Sequence, residues 1–227
     1  MPLTPTMKKH LILCFALFCF SASAQTNDTG IWSGVSIEKK IIKNLSVNLN
    51  GQHRLMNNFG TTRSWIGEAG LSYKPFKGLE VSLMYRYIYF NDYKPKKNIY
   101  VYESRRRFYG DVSYQFKIKN FKIGNRLRYQ DQYKDNAGGE LISDKSYLRY
   151  KISLDYDTDT RFTPIISSDF FYQLGGIGID QVRMKMGVTT KITKHQSIDI
   201  APFVNLPIND PTSGKDFVIS VNYKVKF

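Results

Sequence analysis

LEVSLMYRYIYF, residues 79–90, sets Leu79, Val81, Leu83, Tyr85, Tyr87 and Tyr89 on one parity and Glu80, Ser82, Met84, Arg86 and Ile88 on the other. A period of two belongs to a β-strand, whose successive side chains point to opposite faces. One face here is apolar and aromatic along its whole length. The other carries charge and hydroxyl.

The same period runs outward in both directions. FYGDVSYQF (108–116) sets Phe108, Val112, Tyr114 and Phe116 against Tyr109, Asp111, Ser113 and Gln115, with Arg107 on the polar side just before it. YLRYKISLDY (147–156) sets Leu148, Tyr150, Ile152, Leu154 and Tyr156 against Arg149, Lys151, Ser153 and Asp155. QVRMKMGV (181–188) sets Val182, Met184, Met186 and Val188 against Gln181, Arg183, Lys185 and Gly187. Almost everything after residue 43 alternates, and no comparable stretch repeats apolar residues at helical spacing. The chain is therefore predicted to be all-β.

The connections alternate too. Short basic or polar turns fall near Lys43-Asn44, Lys77-Gly78, Lys119-Asn120, Asp157–Thr160 and Thr193–Gln196. Longer or glycine-richer ones fall at Asn57–Thr62, Asn91–Lys97, Lys134–Asp144, Gly175-Gly176 and Ile208–Gly214. Short turns at one end and longer loops at the other belong to an outer-membrane barrel. A soluble β-sandwich shares the alternation but has no need of large aromatics on the outer face of nearly every strand. The expected architecture is an antiparallel up-and-down transmembrane β-barrel.

Residues 1–24 read as a secretory signal: Lys8 and Lys9, the apolar run LILCFALFCF, then Ala22-x-Ala24, leaving Gln25 as the first mature residue. Met7 is an alternative start. The run is too short to cross a bilayer as a helix, and no later stretch approaches the roughly 18 apolar residues required. Cys14 and Cys19 both lie within it, so the mature chain has no thiol. That excludes disulfides, zinc–thiolate sites and cysteine nucleophiles. The formal net charge is +14, of which Lys8 and Lys9 supply two. For an exported chain, this balance points to anionic lipid headgroups or acidic solutes rather than to nucleic acid.

VISVNYKVKF (218–227) alternates to its final phenylalanine. In hydrocarbon every backbone N–H and C=O must be paired, so a sheet can span only by closing on itself. This strand is expected to close the barrel, with Phe227 in the periplasmic aromatic girdle. An alternating strand ending in phenylalanine also resembles the signature read by the barrel-assembly machinery. The class thus implies an assembly role for Tyr223, Val225 and Phe227.

RRFYGDVSYQF, GNRLRYQDQY, SYLRYKISLDY, PIISSDFFYQ and QVRMKMGVTTKITKHQSIDI follow one another in register. Together they resemble the uncharacterised outer-membrane family called domain of unknown function 2490, from about Trp32 to Phe227. Members often carry glutamate in the strand that here reads Ser168-Asp169-Phe170; Asp169 keeps the charge on a shorter stem. The resemblance implies a barrel and no activity.

From Leu45 onward ten strands are legible, and GIWSGVSIEKK (30–40) adds an eleventh that would start on the loop side. The expected count is ten to twelve, with residues 30–40 either in the barrel or beside it. The corresponding division is a signal at 1–24, an N-terminal segment with one amphipathic strand at 25–43, and a barrel at 44–227.

With the apolar faces outward, Arg54, Arg86, Arg105, Arg107, Arg126, Arg128, Arg149, Lys151, Arg183 and Lys185 point inward. So do Glu68, Glu80, Glu103, Asp111, Asp155, Asp169 and Asp199. Facing lipid, each cation would cost about 2–4 kcal/mol near mid-depth. Dry and unpaired inside, each would cost several as well. The favoured reading is a charge-braced, largely occluded interior. The alternative is a narrow channel for small anionic solutes, with Arg126, Arg128, Arg149 and Lys151 supplying selectivity. An outer-membrane lipase, acyltransferase or protease needs a nucleophile beside a base. His53 and His195, the histidines left after the signal, have no such neighbours in sequence. No catalytic, cofactor or metal residue is expected. The expected partners are outer-membrane lipids, the assembly machinery and, in the channel reading, small anions.

Overall fold

The computed structural model describes residues 28–94, 99–135, 140–176, 178–209 and 215–227, and the alternating stretches within them form eleven strands. The strands are β1 (Asp28–Ile42), β2 (Leu45–Met56), β3 (Thr61–Tyr73), β4 (Leu79–Lys94), β5 (Ile99–Ile118) and β6 (Phe121–Asp135). They continue with β7 (Leu141–Tyr156), β8 (Phe162–Gln173), β9 (Gly178–Lys191), β10 (Gln196–Pro207) and β11 (Asp216–Lys226). The signal at 1–24 lies outside the described residues, as do residues 95–98, 136–139 and 210–214 of the longer connections.

The strands close into one barrel in chain order, each antiparallel to its sequence neighbours, and β11 closes it against β1. That closing seam is parallel, running in unbroken register from Asp28↔Asp216 to Glu38↔Lys226. An odd number of strands joined by hairpins brings the last back in the direction of the first, so a parallel seam is forced. Beyond the ladder, Phe227 N–H donates to Glu38 O at 2.9 Å and Lys40 N–H to Phe227 O at 3.0 Å.

Two sequence expectations change. Residues 30–40 lie within β1, in the barrel wall, so the barrel begins at Asp28 and the boundary at residue 44 dissolves. Two presumed loops are partly strand: β4 runs to Lys94 before β5 begins at Ile99, and β6 runs to Asp135 before β7 begins at Leu141. Asn91–Asp92 and Lys134–Asp135 still find ladder partners there, and polar side chains at the loop end do not stop a ladder from extending.

Parity sorts the side chains as alternation requires. Leu83 is 70 % exposed, Val112 50 % and Leu127 48 %, while Arg128, Arg149, Asp111 and Asp169 are buried. The wall is thus apolar outside and charged inside. At the turn end, Lys117 donates to Asp157 at 2.8 Å and holds that exposed carboxyl below its ordinary range.

The ladder breaks once between β9 and β10, pairing Val188 with Ile200 and next Lys185 with Phe203. Pro202 has no N–H to give, and Ala201, fully buried, fills the space opposite Gly187. A Cβ on Gly187 would overlap the Ala201 side chain and come 2.5 Å from Ile200 O. Gly187→Val is therefore expected to cost about 1–3 kcal/mol by overpacking. Gly51→Val, where nothing lies within 4 Å of the added Cβ, should be near neutral. Urea titration of the two refolded variants checks this, and equal midpoints would refute it.

Candidate functional site

The interior is built from the polar parity of each strand, and register decides which charges meet. Asp111 on β5 lies opposite Arg128 on β6, which lies opposite Arg149 on β7. Arg128 donates Nε to Asp111 Oδ1 and Nη2 to Oδ2, each at 2.6 Å, a two-pronged contact between buried groups. Its guanidinium also lies 3.8 Å from the centre of the Tyr109 ring. Such a fork satisfies both carboxylate oxygens and fixes the arginine's plane.

Asp169 on β8 serves two arginines. Arg149 Nη2 donates to Asp169 Oδ2, and Arg126 Nη2 reaches the same oxygen at 3.2 Å. Arg149 also donates to Gln130 Oε1 at 3.2 Å and stacks 3.9 Å from the Phe171 centroid. One carboxylate thereby ties β6, β7 and β8 together. On the facing wall Arg86 donates to Glu68 across β3 and β4.

A second set joins the remaining strands through aromatic rings. Arg54 on β2 sits 3.5 Å over Trp32 on β1, and Trp32 packs edge-on against Phe203 on β10 at 4.8 Å. Arg183 on β9 lies 4.7 Å from Phe203, 5.0 Å from Trp32 and 5.2 Å from Phe171. Side-chain amides rather than carboxylates accept from these arginines: Gln52 from Arg54 at 2.7 Å and Asn205 from Arg183 at 2.8 Å. Cation–π contacts of this kind are worth about 0.5–2 kcal/mol each, more as water is excluded. The result is a chain of rings and guanidiniums from β2 round to β8.

Nearer the loops, Arg107 donates to Gln132, whose amide passes the contact to Asp144 at 2.6 Å. Arg105 lies 3.8 Å from Glu103 and 4.2 Å over Phe90. Nearer the turns, Lys224 pairs with Asp199, which also accepts from Thr189 at 2.8 Å. Lys151 and Lys185 make no ion pair within 4.0 Å among the described residues, and neither does Asp155. Tyr223, Val225 and Phe227 lie on the outward parity of the closing seam.

The histidines stand apart from the interior. His53 stacks on Trp65 at 3.8 Å on the outer face, with Nε2 3.2 Å from Thr62 Oγ1. His195 sits in the β9–β10 turn, Nδ1 2.9 Å from Lys226 O. Among the described residues no three of His, Cys, Asp and Glu converge as metal ligands.

The sequence reading did not single out Trp32, Phe171, Phe203, Gln130, Gln132 or Asn205 as interior partners. The pair Phe170-Phe171 carried a usable signal, since adjacent aromatics on a strand cannot both face outward. Trp32 and Phe203 had none. One lay in a segment whose place in the wall was open, and the other follows Pro202.

A family profile described as Protein of unknown function (DUF2490) matches residues 29–205. No curated protein matches the chain. Among solved structures, the beta domain of the Bordetella autotransporter Brka is similar at 9 % identity and a TM-score of 0.46, covering 81 % of this chain and 82 % of that one.

Proposed function

The chain belongs to the DUF2490 family of proteins of unknown function, and from that premise we propose that it is a bacterial outer-membrane barrel whose braced interior is structural. The apolar outer parity supports the location: side chains such as Leu83, Val112 and Leu127 stand exposed on the outside of a closed sheet, where only hydrocarbon would relieve them. Lipid acyl chains are then its immediate partners, and the assembly machinery its route of entry.

The observation that carries the structural reading is the setting of Arg183 on the inner wall. Its guanidinium lies against rings from β1, β8 and β10 at once, holding it in a packed cluster rather than free in an open bore. Eleven strands give a bore between the filled eight-stranded barrels and the open sixteen-stranded ones. No enzymatic role is proposed: among the described residues, neither histidine has an acid and a nucleophile beside it. Planar-bilayer recording of the refolded protein tests the reading. Baseline current without discrete openings is expected. Stable unitary currents whose ion preference moves with Arg126→Gln or Lys151→Gln would replace it with a narrow anion channel.

A further inference from the structure

We propose that the turn-side half of the lumen holds a binding site for a phosphate-class oxyanion, formed by Lys151, Lys185, Ser153, Ser167 and Arg126. The inference rests on the closed barrel and not on whether it conducts.

Register brings these groups together from four consecutive strands. Arg126 lies opposite Lys151, Ser153 opposite Ser167, and Ser167 opposite Lys185, all on the inward parity. The patch therefore presents three cations and two hydroxyls on one wall. These are the donor types that take up phosphate oxygens through charge-assisted hydrogen bonds.

The surrounding carboxylates are shared. Asp169, opposite Lys151, gives Oδ2 to both Arg149 and Arg126 while its Oδ1 has no hydrogen-bond partner among the described residues, and Asp199 is held by Lys224 and Thr189. On the adjoining β5 Asp111 serves Arg128, and further round the barrel Glu68 serves Arg86, Glu38 serves Lys74 and Lys226, and Glu80 serves Lys74. Asp155 shares the wall four residues along β7 from Lys151, where Lys122, Lys151 and Lys224 all act on its charge. Lys151 has Asp169 as an opposite charge and Arg126, Lys185 and Lys224 as like-charged neighbours. The buried Arg126 Nε has no hydrogen-bond partner among the described residues, and Ser153 reaches only Gly124 O at 3.5 Å. Every interior arginine described above, Arg126 included, has an acid, an amide or a ring against its charge. Lys151 and Lys185 have Asp169 and Asp199 as opposite charges, carboxylates that already serve other cations, so positive charge is in excess on this wall. A buried cation left so is costly, and an anion between the strands offsets it.

The arrangement distinguishes an oxyanion from chloride, because hydroxyls and ammonium groups on different strands need several acceptor atoms at once. It also predicts an unusual stability response. Removing a braced arginine should weaken the barrel. Removing these lysines should not, because their mutual repulsion goes with them.

The test uses the full mature chain refolded in detergent, with inorganic phosphate and glycerol 3-phosphate as probes at constant ionic strength against chloride. Both should bind saturably by calorimetry and by phosphorus NMR, and phosphate should raise the unfolding midpoint by a few degrees. The Lys151→Gln/Lys185→Gln double variant should bind at least about tenfold more weakly, a loss of about 1.4 kcal/mol. In chloride alone it should melt at or above the wild-type midpoint. Lys185→Gln alone should lie between, and Lys194→Gln in the exposed turn should match wild type. Binding of inorganic phosphate alone would confine the site to the free anion; binding of the ester as well would extend it to phosphorylated solutes. Absence of saturable binding, equal affinity in the double variant, or a double variant that folds less well than wild type in chloride would each overturn the proposal.

Discussion

Asp169→Asn should destabilise the barrel by about 3–5 kcal/mol, the range for removing one partner from a buried ion pair. The substitution keeps size and shape but removes the charge that Arg149 and Arg126 share. Asparagine can keep an oxygen facing both guanidiniums, since they share Oδ2, but that oxygen is neutral and leaves two buried cations without a charge between them. Because the arginines come from β6 and β7 and the carboxylate from β8, the loss falls on the wall's cross-links as well as on one contact. Urea titration followed by heat-modifiable migration on gels should show the drop. Arg126→Gln added to Asp169→Asn should recover part of it by removing one of the stranded cations. A midpoint unchanged in Asp169→Asn would mean that water already solvates these arginines. The braced interior would then give way to a wet one.

The fold was legible because the outward-facing apolar pattern is local. Each residue of LEVSLMYRYIYF declares its face by its own chemistry and its position modulo two, so Leu83 and Arg86 could be sorted without knowing any neighbour. Closure by the C-terminal strand followed from backbone hydrogen bonding alone. Strand number was harder. GIWSGVSIEKK is as regular as its fellows, but a strand entering from the loop side makes the count odd, and only the parallel β1–β11 register shows how that is accommodated. Charge pairing was not legible at all. Whether Arg149 meets Asp111 or Asp169 depends on the stagger between strands, which alternation along each strand leaves open. A shift of two residues in one hairpin preserves every face and changes every partner. For the same reason the unpaired state of Lys151 and Lys185 could not be read from composition, in which they look like their paired neighbours.

Facing itself can be put to a direct test at adjacent residues. Leu83 points outward among Ala69, Leu71 and Phe108, in an apolar notch beside Gly110. It stands four residues into β4 from the turn, roughly 13 Å along the strand, close to mid-height of an apolar belt about 25 Å tall. Leu83→Arg should therefore cost about 2–4 kcal/mol and sharply reduce insertion into vesicles. Ser82 points the other way, into a cavity of about 290 Å³ lined by Glu38, Glu68, Glu80 and Asp111 and by Lys224 and Lys226. An arginine there enters polar space rather than hydrocarbon, so Ser82→Arg should cost less than Leu83→Arg. The two variants carry the same side chain one residue apart, so helix or strand propensity, net charge and size cannot separate them. Only the face can. Folding yield into lipid vesicles, scored by protease protection, should fall for Leu83→Arg and hold for Ser82→Arg. Equal losses would mean that the interior tolerates no added cation even beside four acids. The reverse order would turn the wall inside out.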